Sequence, residues 1–276
     1  MKKPENLPLR TTTAIVFGIL VIGSLLLGQW YFAGLMLFVV IAGLLEFYNL
    51  ISKEDLEPQK IIGIIGGTIV YGIIILVNND IINPQFTLLL VVLPAVSIGA
   101  EMVRKRAAPF QNVGLTLVGI LYLAIPMGLL VSFFPIGLEL GFDSAGILIL
   151  GFFIILWVFD SAAYFVGSAI GKHKLCERFS PKKTWEGMIG GMLFGLITAF
   201  VLSLIYKQIS VLHWLVMTLI IMIFGTLGDL AESMLKRSVN VKDSGRLLPG
   251  HGGILDRFDA VLLSVPFLYV YIRFFL

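Results

Sequence analysis

Long apolar stretches bounded by charge, proline or asparagine recur along the whole chain. None of them alternates apolar and polar residues as a membrane β-strand does, and a backbone in lipid must satisfy its own hydrogen bonds. Crossing a bilayer as a helix takes about 20 apolar residues. The pattern therefore predicts an all-α, polytopic integral membrane protein with about nine transmembrane helices. The predicted helices span residues 12–28, 30–45, 61–77, 86–102, 111–133, 145–169, 187–206, 211–235 and 258–276.

The composition excludes several classes of protein. The 276 residues are 58% hydrophobic and only 13% charged, which excludes a cytosolic globular protein and a disordered chain. Cys176 is the only cysteine, so a disulfide scaffold is excluded, and the three histidines lie too far apart in sequence to favour a Cys/His zinc site. We interpret residues 1–276 as a single transmembrane domain.

The distribution of positive charge predicts the orientation, because Lys and Arg concentrate in cytoplasmic loops. In the nine-helix arrangement every Lys and Arg except Lys207 and Arg273 lies on one side. We therefore expect a cytoplasmic N-terminus in a multi-pass protein of the cell (inner) membrane. The net charge of +3 is explained by the basic residues of the cytoplasmic loops. Since no nucleic-acid motif is present either, we expect no nucleic-acid partner.

Glycines recur at the four-residue spacing that lets helices approach closely, at Gly63 and Gly67 and at Gly187, Gly191 and Gly195. In a chain with many neighbouring helices this spacing favours internal packing over a dimer interface.

Carboxylates near the ends of three predicted helices are candidates for chemistry, because an ionisable group inside a crossing costs about 2.5–3.5 kcal/mol. Asp160, Asp229, Asp256 and Asp259 are all expected near the cytoplasmic boundary, and Glu232 shares a helical face with Asp229. Each could instead pair with a nearby Lys or Arg. For the set, a shared cation explains more, and oxygen ligands without Cys or His favour Mg²⁺.

Two cytoplasmic loops supply complementary positive charge. In the run 180–187, Ser180 is expected as the N-cap and Pro181 as the first residue of a helix, so Lys182 and Lys183 would flank a phosphate-binding helix end. Alternatively, these lysines only follow the positive-inside rule. In the run 236–259, glycines that allow close backbone approach lie among cations, without the spacing of a Walker loop. Its glycines and basic residues are Gly245, Gly250, Gly252, Gly253, Lys236, Arg237, Lys242, Arg246, His251 and Arg257.

These residues resemble the signature of the phosphatidate cytidylyltransferases, also called CDP-diacylglycerol synthases. The matching positions are Ser233, Leu235, Lys236, Arg237, Lys242, Asp243, Gly245, Pro249, His251, Gly252, Gly253, Asp256, Arg257 and Asp259. The runs around Asp160 and at 180–187 also resemble the family, which places the catalytic motifs in residues 151–260. Residues 1 to about 140 resemble it only in hydropathy.

The resemblance implies that CTP and phosphatidate, in the membrane, react to CDP-diacylglycerol and pyrophosphate with Mg²⁺ as cofactor. It also implies a polytopic fold that allows a homodimer. Residues matching Asp229 and Asp256 would hold the metal. By their position we assign Asp259 as a third ligand and Asp160 and Glu232 as surrounding residues or alternative ligands. The surplus of carboxylates allows a second cation.

The remaining candidates are assigned by charge and position. Expected contacts to phosphate are Lys183, Lys236, Arg237, Lys242 and Arg257, with Asp243 orienting the loop and His251 hydrogen-bonding phosphate or moving a proton. Expected substrate-binding positions are Ser180, Lys182, Gly245, Gly252 and Gly253.

Two other functions are alternatives to the cytidylyltransferase hypothesis. A CTP-dependent lipid kinase of the polyprenol or phytol type would use similar basic loops but would release CDP. An ion- or proton-coupled transporter also places acids in helices, though nearer to the membrane midplane.

Overall fold

The computed structural model describes residues 7–52, 55–245 and 252–276, with side chains from residue 15 onward. The helices in chain order are α1 Leu7–Leu27, α2 Gln29–Ile51, α3 Lys60–Asn78, α4 Val92–Arg104, α5 Pro109–Gly119, α6 Ile125–Val131, α7 Phe133–Glu139, α8 Ile147–Ile170, α9 Trp185–Ile205, α10 Val211–Ser238 and α11 Leu255–Phe275. A 3₁₀ segment, Pro84–Val91, precedes α4, and a π-helical turn, Ile120–Ala124, joins α5 to α6. Two short strands, β1 Lys174–Cys176 and β2 Ser180–Thr184, precede α9.

The described part of the chain contains eight helical spans long and apolar enough to cross a membrane, and a shorter apolar helix, Ile15–Leu27. The prediction of an all-α polytopic membrane protein is therefore confirmed. The predicted boundaries miss by several residues in places. The largest consequence is at α2, which continues to Ile51 rather than ending near residue 45, so Glu46 lies inside a helix.

The chain divides into two compact units. Unit 1 comprises Met1–Ser132 and Val239–Phe258, and unit 2 comprises Phe133–Ser238 and Asp259–Leu276.

In unit 1, α2 and α3 pack through glycines. A Cβ on Gly63 would collide with the Tyr48 ring, and one on Gly67 would collide with Leu44. The Tyr48 hydroxyl donates a hydrogen bond of 2.7 Å to the carbonyl oxygen of Thr116, which satisfies this polar atom inside the unit. The glycine pair therefore packs internally, as the spacing predicts.

Unit 1 also buries Glu101, which is 3% exposed, within a hydrogen-bonded network. Its carboxylate accepts hydrogen bonds from Gln59 Nε2 at 2.6 Å, Asn112 Nδ2 at 2.8 Å and Arg104 at 2.7 Å. Because both carboxylate oxygens are bonded, this buried acid is explained by the local structure of α4 and α5.

In unit 2, α9 packs against α8 and α10 through one glycine stripe. A Cβ on Gly187 would lie 2.7 Å from the carbonyl oxygen of Ala163, and one on Gly191 would lie 2.9 Å from that of Phe159. Gly195 meets the Met222 side chain on α10 in the same way. This stripe too packs internally, and it brings the start of α9 against the part of α8 that carries Asp160.

The prediction that Ser180 caps a helix beginning at Pro181 is wrong. Residues Ser180–Thr184 form β2, which pairs antiparallel with β1, and α9 begins at Trp185. Thr184 is the N-cap, since its hydroxyl accepts a hydrogen bond of 3.2 Å from the Gly187 amide. The backbone of Trp185 continues the pairing by donating to His173 at 2.9 Å. Strand pairing with a segment earlier in the chain, which the local pattern does not reveal, displaces the helix start by four residues.

Candidate active site

Unit 2 brings Lys183 and three aspartates together, and we call this set the Lys183 cluster: Lys183, Asp160, Asp229 and Asp259. The Lys183 ammonium forms an ion pair with Oδ2 of Asp229, and both side chains are about one-third exposed. Asp160 and Asp259 lie close enough to interact electrostatically with both partners. One strand and three helices, α8, α10 and α11, therefore place three carboxylates around a single lysine.

A glycine next to Asp229 explains how two of these carboxylates come together. A Cβ on Gly228 would collide with the backbone carbonyl oxygen of Asp259, so α10 touches the α11 backbone at this position. Farther along the same two helices, the rings of Phe224 and Phe267 stack with centroids 3.6 Å apart. This close approach places the side chains of Asp229 and Asp259 side by side.

The carboxylates are partly engaged in local hydrogen bonds. Asp229 Oδ1 accepts a long bond of 3.4 Å from the Ser233 hydroxyl, and Asp259 Oδ1 accepts one of 2.7 Å from the Ala260 amide. The Asp160 side chain lies at the surface of α8. Like charges at this spacing repel, so the cluster favours the approach of a further cation.

The β1–β2 hairpin positions the predicted anion contacts of residues 180–183. Lys182 is exposed, Ser180 pairs with Cys176, and Lys183 turns toward the acids. Glu186 closes the hairpin, because its carboxylate contacts His173 Nδ1 at 2.6 Å and accepts a bond of 3.1 Å from the Lys172 amide. Lys182 and Lys183 therefore lie on a strand that pairing and the Glu186 contacts hold in place, rather than at a helix N-terminus.

Two turns beyond Asp229 on α10, Lys236 and Arg237 differ in their surroundings. The Lys236 ammonium lies 2.5 Å from Glu232 Oε2, and the two side chains are 11% and 1% exposed. Arg237 is exposed. Lys236 is thus held in a buried ion pair, and its role as a phosphate contact stays a prediction.

We call residues 242–256 the signature loop, and unit 1 contains its described parts, residues 242–245 and 252–256. Asp256 Oδ2 accepts three hydrogen bonds: from the Ser244 amide at 3.0 Å, the Ser244 hydroxyl at 2.8 Å and the Gly253 amide at 2.8 Å. Asp256, predicted as a metal ligand, therefore also joins the two ends of this loop. Gly252 has φ of +82°, a conformation that disfavours any side chain.

The other predicted residues of this segment fall in two groups. Lys242, Asp243 and Arg257 are exposed. His251 lies outside the described residues.

Glu46 is a residue that the sequence reasoning missed. It is 8% exposed, and its Oε2 accepts a hydrogen bond of 3.1 Å from the Leu255 amide. A Cβ on Gly245 or Gly253 would collide with its carboxylate. The signal was available, since an acid inside an apolar helix marks a functional position, but the predicted end of α2 near residue 45 put Glu46 in a loop.

The donor set of the Lys183 cluster fits a hard divalent cation by its chemistry, because it consists of carboxylate oxygens without Cys or His. Within residues 7–52, 55–245 and 252–276, no three His, Cys, Asp or Glu side chains are already arranged to hold an ion. The Lys183 ammonium and a divalent ion would compete for the same Asp229 oxygen.

Comparison with known proteins agrees with these features. The sequence model of the Cytidylyltransferase family matches residues 8–275. A protein named phosphatidate cytidylyltransferase from Bacillus subtilis (strain 168) is 50% identical over 123 residues, which cover 44% of this chain and 46% of that protein. Proteins of the same name from Staphylococcus saprophyticus and Staphylococcus haemolyticus are 34% and 33% identical, each over 94% of this chain and 96% of their own length.

The family match spans nearly all of the chain and includes both the Lys183 cluster and the signature loop. The chain belongs to the cytidylyltransferase family.

Proposed function

We propose that this protein transfers the cytidylyl group of CTP to phosphatidate and forms CDP-diacylglycerol and pyrophosphate. An oxygen of the phosphatidate phosphate forms a bond to the α-phosphorus of CTP, and the bond from that phosphorus to the pyrophosphate oxygen breaks. The names of relatives that match along nearly their full length support this reaction. The structural observation that carries it is the Lys183–Asp229 ion pair with two further aspartates beside it.

Charge is the main obstacle to this reaction. A phosphomonoester has a second pKa of about 6, so the attacking group is already ionised at neutral pH and needs no strong base. CTP and phosphatidate both carry several negative charges, and they repel each other strongly next to a low-dielectric membrane. Neutralising this charge and aligning the two phosphates should therefore supply most of the catalysis. Lys183, on strand β2, would contribute positive charge toward the phosphates.

We further propose that the reaction depends on Mg²⁺ held by Asp229 and Asp259, with Asp160 beside them. When bound, a divalent ion would neutralise phosphate charge and orient the pyrophosphate leaving group. The aspartates would keep this charge near the Lys183 ammonium, which is then available to bind phosphate. Asp256 remains a candidate ligand through the family resemblance.

The reaction is tested with purified protein, phosphatidate in mixed micelles and CTP labelled in the cytosine. Lipid-soluble cytidine and an equal amount of pyrophosphate are the expected products. Release of CDP together with a newly phosphorylated lipid would instead identify a lipid kinase. Absence of both products from a monodisperse, folded preparation would overturn the proposed reaction.

The metal proposal is tested by titrating Mg²⁺ after treatment with EDTA. Asp229→Asn should raise the Mg²⁺ concentration for half-maximal activity and lower kcat about 100-fold. Asp143→Asn is the matched control, because Asp143 is an exposed carboxylate in a turn of the same unit. Full activity of the wild-type protein without divalent ions would contradict the proposal.

We propose that the Lys183 cluster faces the cytoplasm at the inner membrane, where CTP is available. Cys176 allows a direct test, because it is the only cysteine and lies in β1 of the hairpin that carries Lys183. A membrane-impermeant maleimide should label it in inside-out vesicles and leave it unlabelled in right-side-out vesicles. The reverse pattern would place the hairpin on the outer face.

A further inference from the structure

A buried carboxylate of α2 holds the signature loop from a position about 200 residues earlier in the chain. Glu46 Oε2 accepts a hydrogen bond of 3.1 Å from the Leu255 amide, and the Ile254 amide and the Ser244 side chain also interact with this carboxylate. Both ends of the described loop thus meet one side chain within unit 1.

The loop approaches this carboxylate so closely that only glycine fits at two positions. A Cβ on Gly245 would collide with Glu46 Oε1, and one on Gly253 would collide with Oε2 and with the Ser244 hydroxyl. Glu46 Oε1 is buried and has no hydrogen-bond partner among the described residues. Burying a carboxylate oxygen without a hydrogen bond lowers the stability of the fold. An apolar residue would therefore serve a purely structural role better.

The contacts of Glu46 also complete the start of α11. The first amides of a helix lack partners inside the helix, and carboxylates stabilise this positive end. Here Glu46 accepts from Leu255, while Asp256 accepts from Gly253 and Ser244. The two carboxylates together define the path of the chain into α11.

We propose that Glu46 is a positioning residue of the enzyme, which holds the signature loop in its productive conformation. Through the Ser244 and Leu255 contacts it fixes the loop on either side of the hydrogen bonds that Asp256 makes. Its link to catalysis rests on the proposed function, whereas its hold on the loop does not.

The test compares Glu46→Gln and Glu46→Ala with Glu101→Gln. Glu101 is the matched control, because it is also a buried glutamate of unit 1, and its carboxylate accepts hydrogen bonds from Gln59, Asn112 and Arg104. Both Glu46 variants should lose about 10- to 100-fold in kcat through misplacement of the loop, with Glu46→Gln retaining more because its amide oxygen can still accept from Leu255. Glu101→Gln should change thermal stability more than kcat.

A thiol in the loop reports its conformation without any assay of activity. In a Cys176→Ser background, Ile254→Cys places one thiol at a buried position inside the loop, where alkylation requires the loop to open. Its alkylation should be about tenfold faster in Glu46→Gln than in the parent, because the hydrogen bonds to a charged carboxylate become weaker bonds to a neutral amide, and unchanged in Glu101→Gln. Equal rates in all three proteins would overturn the inference, even if Glu46 variants were inactive.

The two proposals fail in different ways. If the parent protein forms no CDP-diacylglycerol while Glu46→Gln still accelerates alkylation, the proposed reaction is wrong and the positioning role stands. If the reaction is present but alkylation and kcat are both insensitive to Glu46→Gln, the positioning role is wrong.

Discussion

The ammonium of Lys183 binds the carboxylate of Asp229, which links strand β2 to helix α10 within unit 2. The two residues are 46 positions apart and belong to different sequence motifs. Their pairing makes the hairpin part of the acidic cluster rather than a separate basic loop.

Removal of the Lys183 charge should lower kcat/KM about 100-fold, as expected when one stabilising group is lost from a phosphoryl-transfer site. Lys183→Met is the variant, and steady-state kinetics for CTP is the measurement. Lys174→Met is the control, because Lys174 is an exposed lysine on the partner strand of the same hairpin. Activity of Lys183→Met within twofold of the wild type would show that Lys183 takes no part in the reaction.

A methyl group at Gly228 should separate Asp229 from Asp259. Gly228→Ala would collide with the Asp259 carbonyl oxygen and should lower the free energy of unfolding by about 1–3 kcal/mol, together with a loss of activity. Gly225→Ala, one turn earlier, meets only ordinary contacts at 3.5 Å and should be tolerated. Thermal unfolding in detergent and the CTP assay measure the two effects, and equal behaviour of the two variants would contradict this account.

The buried pair of Glu232 and Lys236 can be tested by removing one partner or both. Lys236→Met leaves a buried carboxylate and should cost about 3–5 kcal/mol of stability, whereas the double variant Glu232→Leu/Lys236→Met should recover most of it. The kcat of the double variant decides the role of Lys236. Near-normal kcat would assign Lys236 to structure, and a folded but inactive double variant would show that the pair takes part in the reaction. No recovery of stability in the double variant would contradict the assignment of Glu232 and Lys236 as a buried ion pair.

The membrane fold was predictable from the sequence because its cause is local. A long apolar segment in lipid has few ways to satisfy its backbone, and the helix satisfies it within the segment itself. The candidate acids were predictable for a related reason, since a carboxylate in such a segment is costly enough to require a function.

Contacts between distant segments were not predictable in the same way. The β1–β2 hairpin replaced a predicted helix start because Lys174 pairs with Thr184 across a turn, and no helix-capping signal reports such pairing. Glu46 was missed because the predicted helix ended near residue 45, and its contacts with Ser244 and Leu255, about 200 residues later, could not be predicted from the local sequence.

Composition and hydropathy thus established a helical membrane protein, and its motifs indicated the family and the charged residues that are candidates for the active site. The partner of each charge depended on how the helices pack. Asp229 meets Lys183 and Asp259 because glycines such as Gly228 let helix backbones touch, and Asp256 bonds to Ser244 and Gly253 because a loop folds back on it. These pairings are set by close-range sterics and electrostatics between segments, for which the linear order of residues holds no direct signal.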